Sequence, residues 1–212
     1  AQDLDSLAAE VPGSITALVL DVTDESATAA VVEKIESGIG PLELVVLNAG
    51  TYFPVTATNF KAANFRKTID VNLNGTANGL DAVLPRMIAR RSGHVVLMAS
   101  VAGFVGLPTS SAYGATKAAI NNLAEAMKVE LEPHGVTMSV INPGFVRTPL
   151  TDKNTFPMPF LMDIDPAIDA IMRGLKAKKY EIIFPWQMAV LMKLLRILPH
   201  WLLFAITRRM VG

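Results

Sequence analysis

Short runs dominated by apolar residues alternate along the chain with longer segments in which apolar residues recur at helical spacing. Five runs of this kind are candidate strands: residues 15–20, 42–47, 93–99, 136–141 and 180–184. Strands that are apolar throughout are usually buried on both faces, and strands separated by helices usually pair in parallel. The pattern therefore predicts an α/β fold built on a doubly wound parallel sheet.

The segments between these runs carry helix signals. Asp24 is a favourable N-cap residue, and Pro166 lies in the first turn of another predicted helix, where proline is tolerated. Longer helices are predicted over residues 59–89, with a bend or interruption near Gly75, and over residues 110–131.

Composition supports a globular domain and excludes several classes of function. Hydrophobic residues make up 51% of the 212 residues and charged residues 18%, which is enough apolar material for a single domain over residues 1–212. Lysine plus arginine equals aspartate plus glutamate at 19 each, which does not favour nucleic-acid binding. The three histidines are scattered, so we expect no metal site. The chain has no cysteine, which excludes disulfides and fits the reducing cytoplasm, and no apolar run suggests a transmembrane helix.

Tyr113 and Lys117 stand four residues apart at the start of a predicted helix, so their side chains share one face. A lysine ammonium close to a phenol stabilises the phenolate, and a tyrosine tuned in this way can act as a general acid or base. Ser100 ends the preceding strand, at the sheet edge where ligands bind, and its hydroxyl could donate to the same substrate oxygen. The spacing alone leaves a second interpretation open, in which Tyr113 and Lys117 are an ordinary surface pair.

Several short motifs occur in the order and spacing that are typical of one enzyme family. They are Asp21-Val22, Asn48-Ala49-Gly50, residues 71–75 with Asn72, the set Ser100, Tyr113 and Lys117, and residues 143–148. With these motifs the chain resembles the short-chain dehydrogenase/reductase family in its common form. The resemblance covers residues 21–184 and implies a Rossmann-type fold and an NAD(P)-dependent oxidoreductase.

The resemblance implies four catalytic residues. Tyr113 would exchange a proton with a ketone or an alcohol, and Lys117 would lower the pKa of Tyr113 and bind the nicotinamide ribose. Ser100 would orient the substrate oxygen, and Asn72 would complete a proton relay through water and Lys117. The residues themselves leave a structural role open for Asn72, in which its side chain bridges backbone groups at a helix irregularity.

The resemblance also implies that the cofactor is NADP or NAD, with a slight preference for NADP. The residues that would bind it lie in loops after the strands or in the catalytic pair: Asp21, Val22, Asn48, Ala49, Gly50, Tyr113, Lys117, Pro143, Gly144, Val146 and Thr148. Simpler interpretations remain open for some of these positions. Asp21 could be an ordinary acid at the end of a strand, the turn at Gly50 could be structural, and Thr148 could be a helix cap.

The glycine-rich turn of the family, T-G-x-x-x-G-x-G, does not occur in the sequence. In the family its helix amides cradle the cofactor pyrophosphate. In the usual order of strands within the sheet, the two strands of the strand–helix–strand unit that carries this turn lie between the strands predicted at residues 15–20 and 42–47, although the unit comes first along the chain. Without that unit the first of these strands has no partner and the second has an open edge, so we expect the unit to precede residue 1.

The last segment, residues 186–212, is very apolar and is divided by Pro199 into two short predicted helices; we call it the tail. It suits a flap over the substrate cleft or a subunit interface, and its basic residues and two tryptophans also suit contact with a membrane surface. The segment 143–166 is long and irregular, which is typical of lids and binding loops. We therefore expect a hydrophobic small-molecule substrate and a homodimer or homotetramer, without a nucleic-acid partner.

The sequence as a whole predicts an NAD(P)-dependent oxidoreductase that interconverts a ketone or aldehyde and an alcohol on a hydrophobic small molecule. Two other functions remain open. One is a 3-oxoacyl-thioester reductase of lipid synthesis, and the other is a regulatory protein that binds NAD(P) without turnover. The presence of Ser100, Tyr113 and Lys117 together argues against the regulatory protein.

Overall fold

The computed structural model describes residues 2–152 and 156–210, with side chains from residue 4 onward. Its centre is a parallel sheet of four strands in the order β1-β2-β3-β4. The strands are β1 (Leu44–Leu47), β2 (Gly93–Met98), β3 (Val136–Pro143) and β4 (Glu181–Phe184). The helices are α1 (Gln2–Glu10), α2 (Glu25–Gly38), α3 (Ala62–Ile69), α4 (Gly75–Ala89), α5 (Ser111–Leu131), α6 (Ile164–Lys176), α7 (Trp186–Ile197) and α8 (His200–Thr207).

Strand β2 shows why the sheet carries helices on both faces. Successive residues of a strand point to opposite faces, and Val95, Val96 and Leu97 are all fully buried. Val95 and Leu97 lie in a core with residues of α2, α4 and α5, whereas Val96 lies in a second core with residues of α6 and β4. The predicted doubly wound α/β fold is therefore confirmed.

The predicted strand over residues 15–20 is wrong. These residues have no regular secondary structure, and Val19 is 71% exposed. The cause is the lack of a partner, because within the described ranges the sheet ends at β1 and no strand pairs with residues 15–20. An apolar run forms a strand only where a neighbouring strand satisfies its backbone groups. The other four predicted strands are confirmed, and β1 has the open edge that we expected, with Leu44 and Val46 exposed.

The long helix predicted over residues 59–89 is interrupted near Gly75, as expected. It divides into α3, a π-helical turn over Asp70–Asn74, and α4. A Cβ at Gly75 would lie 2.7 Å from a Cγ atom of Val22, so a glycine is needed for this close approach. The wider π-helical turn carries Asn72, whose side chain is fully buried.

The remaining helix predictions are confirmed, with small shifts at the helix ends. The Asp24 carboxylate accepts a hydrogen bond from the backbone N–H of Ala27 at 2.8 Å and caps α2. Helices α7 and α8 divide at Pro199, so the described part of the tail consists of two helices. Among the described helices, none is both long enough and apolar enough to cross a membrane.

We predict that Val95→Ala lowers the free energy of unfolding by about 2–3 kcal/mol, because it removes buried apolar volume and leaves a cavity at a fully packed position. The matched substitution Val46→Ala, at a strand position that is 41% exposed, is expected to cost less than about 1 kcal/mol. Urea denaturation followed by circular dichroism measures both changes. Equal losses would contradict the assignment of the core to the centre of the sheet.

Candidate active site

The four predicted catalytic residues lie at the carboxyl ends of the strands, on three separate elements. Ser100 follows β2, Asn72 lies in the π-helical turn before α4, and Tyr113 and Lys117 lie in the first two turns of α5. Ligands bind at this edge of open α/β sheets because the loops leave a crevice there. The elements that carry the four residues therefore converge at the edge that the sequence predicts.

The Lys117 amine is buried next to the Tyr113 ring. Its Nζ lies 5.5 Å from the centre of the ring and donates a hydrogen bond of 2.6 Å to the carbonyl of Met98, the last residue of β2. Only 3% of Lys117 is exposed, and burial lowers the pKa of its amine to about 8, because a charged group is poorly solvated there. The positive charge of this site is therefore sensitive to pH slightly above neutrality.

The phenol of Tyr113 holds its proton more firmly than an exposed tyrosine does. Burial raises the pKa of Tyr113, a hydrogen bond with Ser100 opposes this rise, and repulsion from Tyr52 adds to it. Burial is the largest influence on this pKa, and the Lys117 amine faces the ring; the lowering of the pKa by Lys117 that the resemblance implies stays a prediction. A phenol that stays protonated at neutral pH is suited to donating a proton.

Ser100 is fixed between two segments of backbone. Its Oγ accepts a hydrogen bond from the Ala102 N–H at 3.2 Å and donates to the Pro143 carbonyl at 3.4 Å. The residue is buried, and its hydroxyl also interacts with the Tyr113 phenol. Ser100 thus connects the end of β2, the end of β3 and the start of α5.

Gly103 explains how the turn after Ser100 reaches α5. A Cβ at Gly103 would lie 2.5 Å from the carbonyl carbon of Lys117 and 2.6 Å from the backbone nitrogen of Ala118. Backbone atoms cannot move aside as a flexible side chain can, so only glycine permits this contact. The short 3-10 turn Val101–Gly103 therefore lies directly on the helix that carries Tyr113.

Asn72 joins three segments behind this cluster. Its Oδ1 accepts a hydrogen bond from the Thr51 N–H at 2.7 Å, and its Nδ2 donates to the Thr51 carbonyl at 3.0 Å and to Thr116 Oγ1 at 3.1 Å. The Thr116 hydroxyl in turn donates to the Tyr113 carbonyl at 2.8 Å. Both side-chain donors of Asn72 are therefore used. The bridging of backbone groups that the sequence left open for Asn72 is present in the structure.

Three further residues of the cluster are not singled out by the sequence: Thr51, Tyr52 and Thr116. Tyr52 contacts Tyr113 edge to face, with the ring centres 5.6 Å apart and the planes at 76°. Thr51 takes part through its backbone N–H and carbonyl, which bond to the Asn72 side chain. Because every residue has these groups, the sequence gives no signal that would identify Thr51. For Thr116 the one available signal is its position between Tyr113 and Lys117.

The predicted cofactor residues after β1 adjoin this cluster. Asn48, Ala49 and Gly50 form an exposed segment at the carboxyl end of the strand. A Cβ at Gly50 would lie 3.7 Å from Lys117 Nζ and 3.6 Å from Asn72 Oδ1. The segment therefore lies beside the catalytic candidates and remains open to solvent.

Asp21 and Val22 precede α2, and Val22 lies against the start of α4. The Asp21 carboxylate accepts hydrogen bonds from the N–H and the hydroxyl of Thr23 at 2.9 and 2.8 Å, and these bonds lower its pKa. The Val22 carbonyl accepts a hydrogen bond from Asn78 Nδ2 at 2.9 Å, and the Val22 side chain packs on Gly75. Because residues 15–20 form no strand, the interpretation of Asp21 as an acid at a strand end does not apply.

The segment that follows β3 is tied to its neighbours by backbone contacts. Pro143 is the last residue of β3, and the Gly144 N–H donates a hydrogen bond of 2.7 Å to the Phe184 carbonyl at the end of β4. Val146 pairs with Met162 in an isolated parallel bridge. This segment of the predicted cofactor site is therefore held at the same sheet edge as Ser100.

Thr148 lies further along this segment, in a local turn. Its N–H donates a hydrogen bond of 2.9 Å to the hydroxyl of Thr151, and the two hydroxyls lie 3.3 Å apart. Thr148 is therefore not the cap of a described helix, which was the simpler interpretation of this position. Residues 153–155, within the predicted binding loop, lie outside the described residues.

Comparison with known proteins adds independent evidence. A family model for the short chain dehydrogenase matches residues 1–157. The chain is 40% identical over 191 residues to an oxidoreductase of Myxococcus xanthus, a match that covers 90% of this chain and 76% of that protein. It is 34% identical over 155 residues to the 3-oxoacyl-[acyl-carrier-protein] reductase FabG of Thermotoga maritima, a match that covers 72% of this chain and 63% of that protein.

A solved structure shares both the fold and part of the sequence. The short-chain dehydrogenase of Sphingobium yanoikuyae in complex with NADPH superposes on this chain with a TM-score of 0.76 and 27% identity. The superposition covers 85% of this chain and 73% of that one. The family match spans more than half of the chain and includes Asn72, Ser100, Tyr113 and Lys117. The chain therefore belongs to the short-chain dehydrogenase family of NAD(P)-dependent oxidoreductases.

Proposed function

We propose that the protein interconverts a carbonyl and an alcohol on a hydrophobic small molecule, with NADP or NAD as the hydride carrier and Tyr113 as the general acid or base. The observation that carries this proposal is the position of the Tyr113 phenol beside Ser100 and the buried amine of Lys117. A phenol and a hydroxyl at the carboxyl edge of a parallel sheet are suited to binding and protonating one substrate oxygen.

The residues of this chain fit the nicotinamide end of such a cofactor. An ammonium has three donors, and within the described part of the chain Lys117 Nζ donates to the Met98 carbonyl alone, which leaves two donors for sugar hydroxyls. Gly50 adjoins the same amine without a side chain in the way. The bound cofactor would supply or remove the hydride. NADP is favoured over NAD because the related enzyme of Sphingobium yanoikuyae binds NADPH.

In the reducing direction, the substrate oxygen accepts hydrogen bonds from Ser100 and Tyr113, and Tyr113 then transfers its proton to that oxygen. The phenol carries its proton at neutral pH, because an ordinary tyrosine already has a pKa of about 10 and burial raises the pKa of Tyr113 further. The hydrogen bond from Ser100 to the Pro143 carbonyl is long, at 3.4 Å, so a substrate oxygen could replace that acceptor. The Ala102 N–H would continue to hold the Ser100 oxygen in place.

We assign Asn72 a positioning role instead of the proton relay that the resemblance implies. Both donors of its side chain are used by Thr51 and Thr116, so neither is available for a water molecule. Through these bonds Asn72 holds the segment after β1 against α5. The Gly50 backbone, one residue before Thr51, is thereby kept next to the Lys117 amine.

The hydrophobic class of the substrate is supported by the side chains near Ser100. Phe145 lies two residues after the end of β3 and contacts Phe156, with the ring centres 6.0 Å apart. Phe145 also packs against the cluster that contains Val101 and Met188. Because Val101 directly follows Ser100, this side of the site is apolar, as is typical of pockets for hydrophobic ligands.

A second candidate function is the reduction of a 3-oxoacyl thioester. It is favoured by the 34% identity to the FabG reductase of Thermotoga maritima, although the match covers 63% of that protein. Steady-state assays with NADPH would compare a 3-oxoacyl pantetheine thioester with simple aliphatic and aromatic ketones. A much higher kcat/KM for the thioester would replace the first candidate with the second.

We predict that Tyr113→Phe lowers kcat for NAD(P)H-dependent ketone reduction by about 10²–10⁴-fold in the full-length protein, because it removes the proton that the phenol donates. The matched control is Tyr180→Phe, which also removes one phenol hydroxyl. Tyr180 packs against the core that contains residues of α2, α4 and α5, and it lies just before the amino end of β4, at the sheet edge opposite Ser100, so it has no part in the proposed proton transfer. The expected result is a strongly lowered kcat in Tyr113→Phe and an unchanged kcat in Tyr180→Phe. Equal rates for both variants and the parent protein would remove Tyr113 from its assigned role.

We predict that the affinity for NADPH falls as the pH rises through about 8, because the buried Lys117 amine loses its charge there. The decline should approach about tenfold per pH unit if the ammonium is needed for binding. The Tyr113 phenol ionises at higher pH, since burial raises its pKa, so the two groups are separable. Fluorescence titration of NADPH at several pH values measures the effect. In Lys117→Met the affinity should be low at every pH, and a pH dependence that persists in this variant would assign the decline to another group.

A further inference from the structure

The face of α7 that points away from the protein is apolar. Trp186, Val190, Leu194 and Ile197 follow helical spacing along this face, and each is at least half exposed. Met188, two residues after Trp186 and therefore on the opposite face, is buried against the body of the protein. A helix on the surface of a soluble domain normally has polar residues on the face that points away from the core. The arrangement in α7 therefore requires something other than water on its outer side.

Helix α8 extends the same feature. Trp201 and Phe204 are exposed on it, as are Ile206 and, just beyond the helix, Met210. Helix α8 contains no charged residue apart from the titratable His200 at its start. Together the two helices expose both tryptophans of the chain. Nine exposed large apolar side chains lie within residues 186–210, so in the tail they form a group and are not scattered singly, as is usual on protein surfaces.

The charges of the tail all have the same sign. It carries Lys193, Arg196, Arg208 and Arg209 and has no aspartate or glutamate, although the chain as a whole contains equal numbers of acidic and basic residues. Lys193 pairs with a glutamate of β4, and Arg196 lies over an aromatic ring. Within residues 2–152 and 156–210, Arg208 and Arg209 form no ion pair. The partner of this surface should therefore be both apolar and negatively charged.

Contact between the tails of two copies meets that requirement less well. In a two-fold dimer the same surface of both copies meets, so the cations of one tail would face those of the other. The tail has no carboxylate that could pair with them. Anionic phospholipids instead combine phosphate groups with an apolar interior, and tryptophan is enriched at the boundary between the two.

We propose that the tail binds the protein to the surface of an anionic phospholipid membrane, with α7 and α8 lying in the plane of the headgroups. The exposed apolar side chains would enter the acyl region, and Arg208 and Arg209 would contact the phosphates. None of the described helices is suited to crossing the bilayer, which agrees with attachment to one leaflet.

The tail also contacts the candidate active site. Met188 and Met192 of α7 pack against Val101, the residue after Ser100. Met188 Cγ lies 3.0 Å from the position that a Cβ of Gly144 would occupy. A helix is about 10 Å across, so a tail lying on lipid would hold the site about one helix diameter from the membrane. If the proposed oxidoreductase function holds, its hydrophobic substrate would then reach the site from the lipid phase; the membrane binding itself does not depend on that function.

Flotation of the full-length protein with lipid vesicles tests the proposal. We expect the protein to float with vesicles of phosphatidylcholine and phosphatidylglycerol and to bind much more weakly to vesicles of phosphatidylcholine alone. Added salt should weaken binding to the anionic vesicles, because exposed charges are screened. These measurements need no variant. Failure to float with the anionic vesicles, or equal binding to both kinds of vesicle, would overturn the proposal.

Two pairs of variants locate the binding surface. Arg208→Glu with Arg209→Glu should lower the partition onto anionic vesicles by at least about 30-fold, at roughly fivefold for each cation lost. Its control is Arg66→Glu with Lys67→Glu, an exposed adjacent pair of cations on α3, which makes the same change in net charge and should have little effect.

The apolar side is tested by Ile197→Gln with Trp201→Gln, against the control Ile39→Gln with Val129→Gln at comparably exposed positions elsewhere. Only the tail variant should lose binding. Circular dichroism and analytical ultracentrifugation accompany all four double variants. Equal loss of binding in a tail variant and its control would contradict the proposal. A different result would also contradict the proposal: the parent protein does not float, it forms dimers, and only the tail variants dissociate those dimers. That result would identify a second copy of the chain as the partner of the tail.

Discussion

The contact between the 3-10 turn Val101–Gly103 and α5 is the constraint on which the candidate site depends. The backbone of Gly103 lies against the backbone of Lys117 at a distance that excludes any Cβ. This contact sets the end of β2, with Ser100, beside the helix turn that carries Tyr113. The hydrogen bond from Lys117 to the Met98 carbonyl fixes the same helix from the other side of the strand end. A side chain at position 103 would push the end of β2 away from α5. The hydroxyl of Ser100 would then move away from the hydroxyl of Tyr113.

Burial shifts the pKa values of the two principal groups, Tyr113 and Lys117, in opposite directions. It raises the pKa of Tyr113 and lowers the pKa of Lys117, so in both cases the neutral form is favoured. For Tyr113 the neutral form is the one that can donate a proton. For Lys117 the neutral form lacks the positive charge that would attract an anionic cofactor. The same apolar surroundings therefore keep the proton on the phenol, which makes the phenol a weaker acid, and bring the amine close to the pH at which it loses its charge.

The sequence predicts those parts of the fold and site that follow from local spacing. Tyr113 and Lys117 lie one helical turn apart, which is enough to place the amine over the ring. Residues 15–20 have an equally clear apolar pattern, but a strand also needs a partner from elsewhere in the chain, and the pattern carries no information about the partner. Asn72 is similar, because its side chain is used by the backbone of Thr51 and by Thr116, which are distant in sequence. The raised pKa of Tyr113 depends on burial by several elements at once, which spacing alone does not specify.

Two of the exposed apolar surfaces in the described part of the chain differ in whether their backbone groups are paired. At β1 the exposed residues Leu44 and Val46 lie on a strand whose outer edge has unpaired N–H and carbonyl groups, so an additional strand is the partner that satisfies it. In α7 and α8 the backbone groups are satisfied within each helix, so an apolar face can enter a lipid environment without leaving them unpaired. The cations of the tail also call for a negatively charged partner, which the strand edge at β1 does not. Hydrophobicity alone would not separate these two surfaces, whereas backbone pairing and charge distinguish a strand edge that calls for a further strand from the tail, for which we propose a lipid surface.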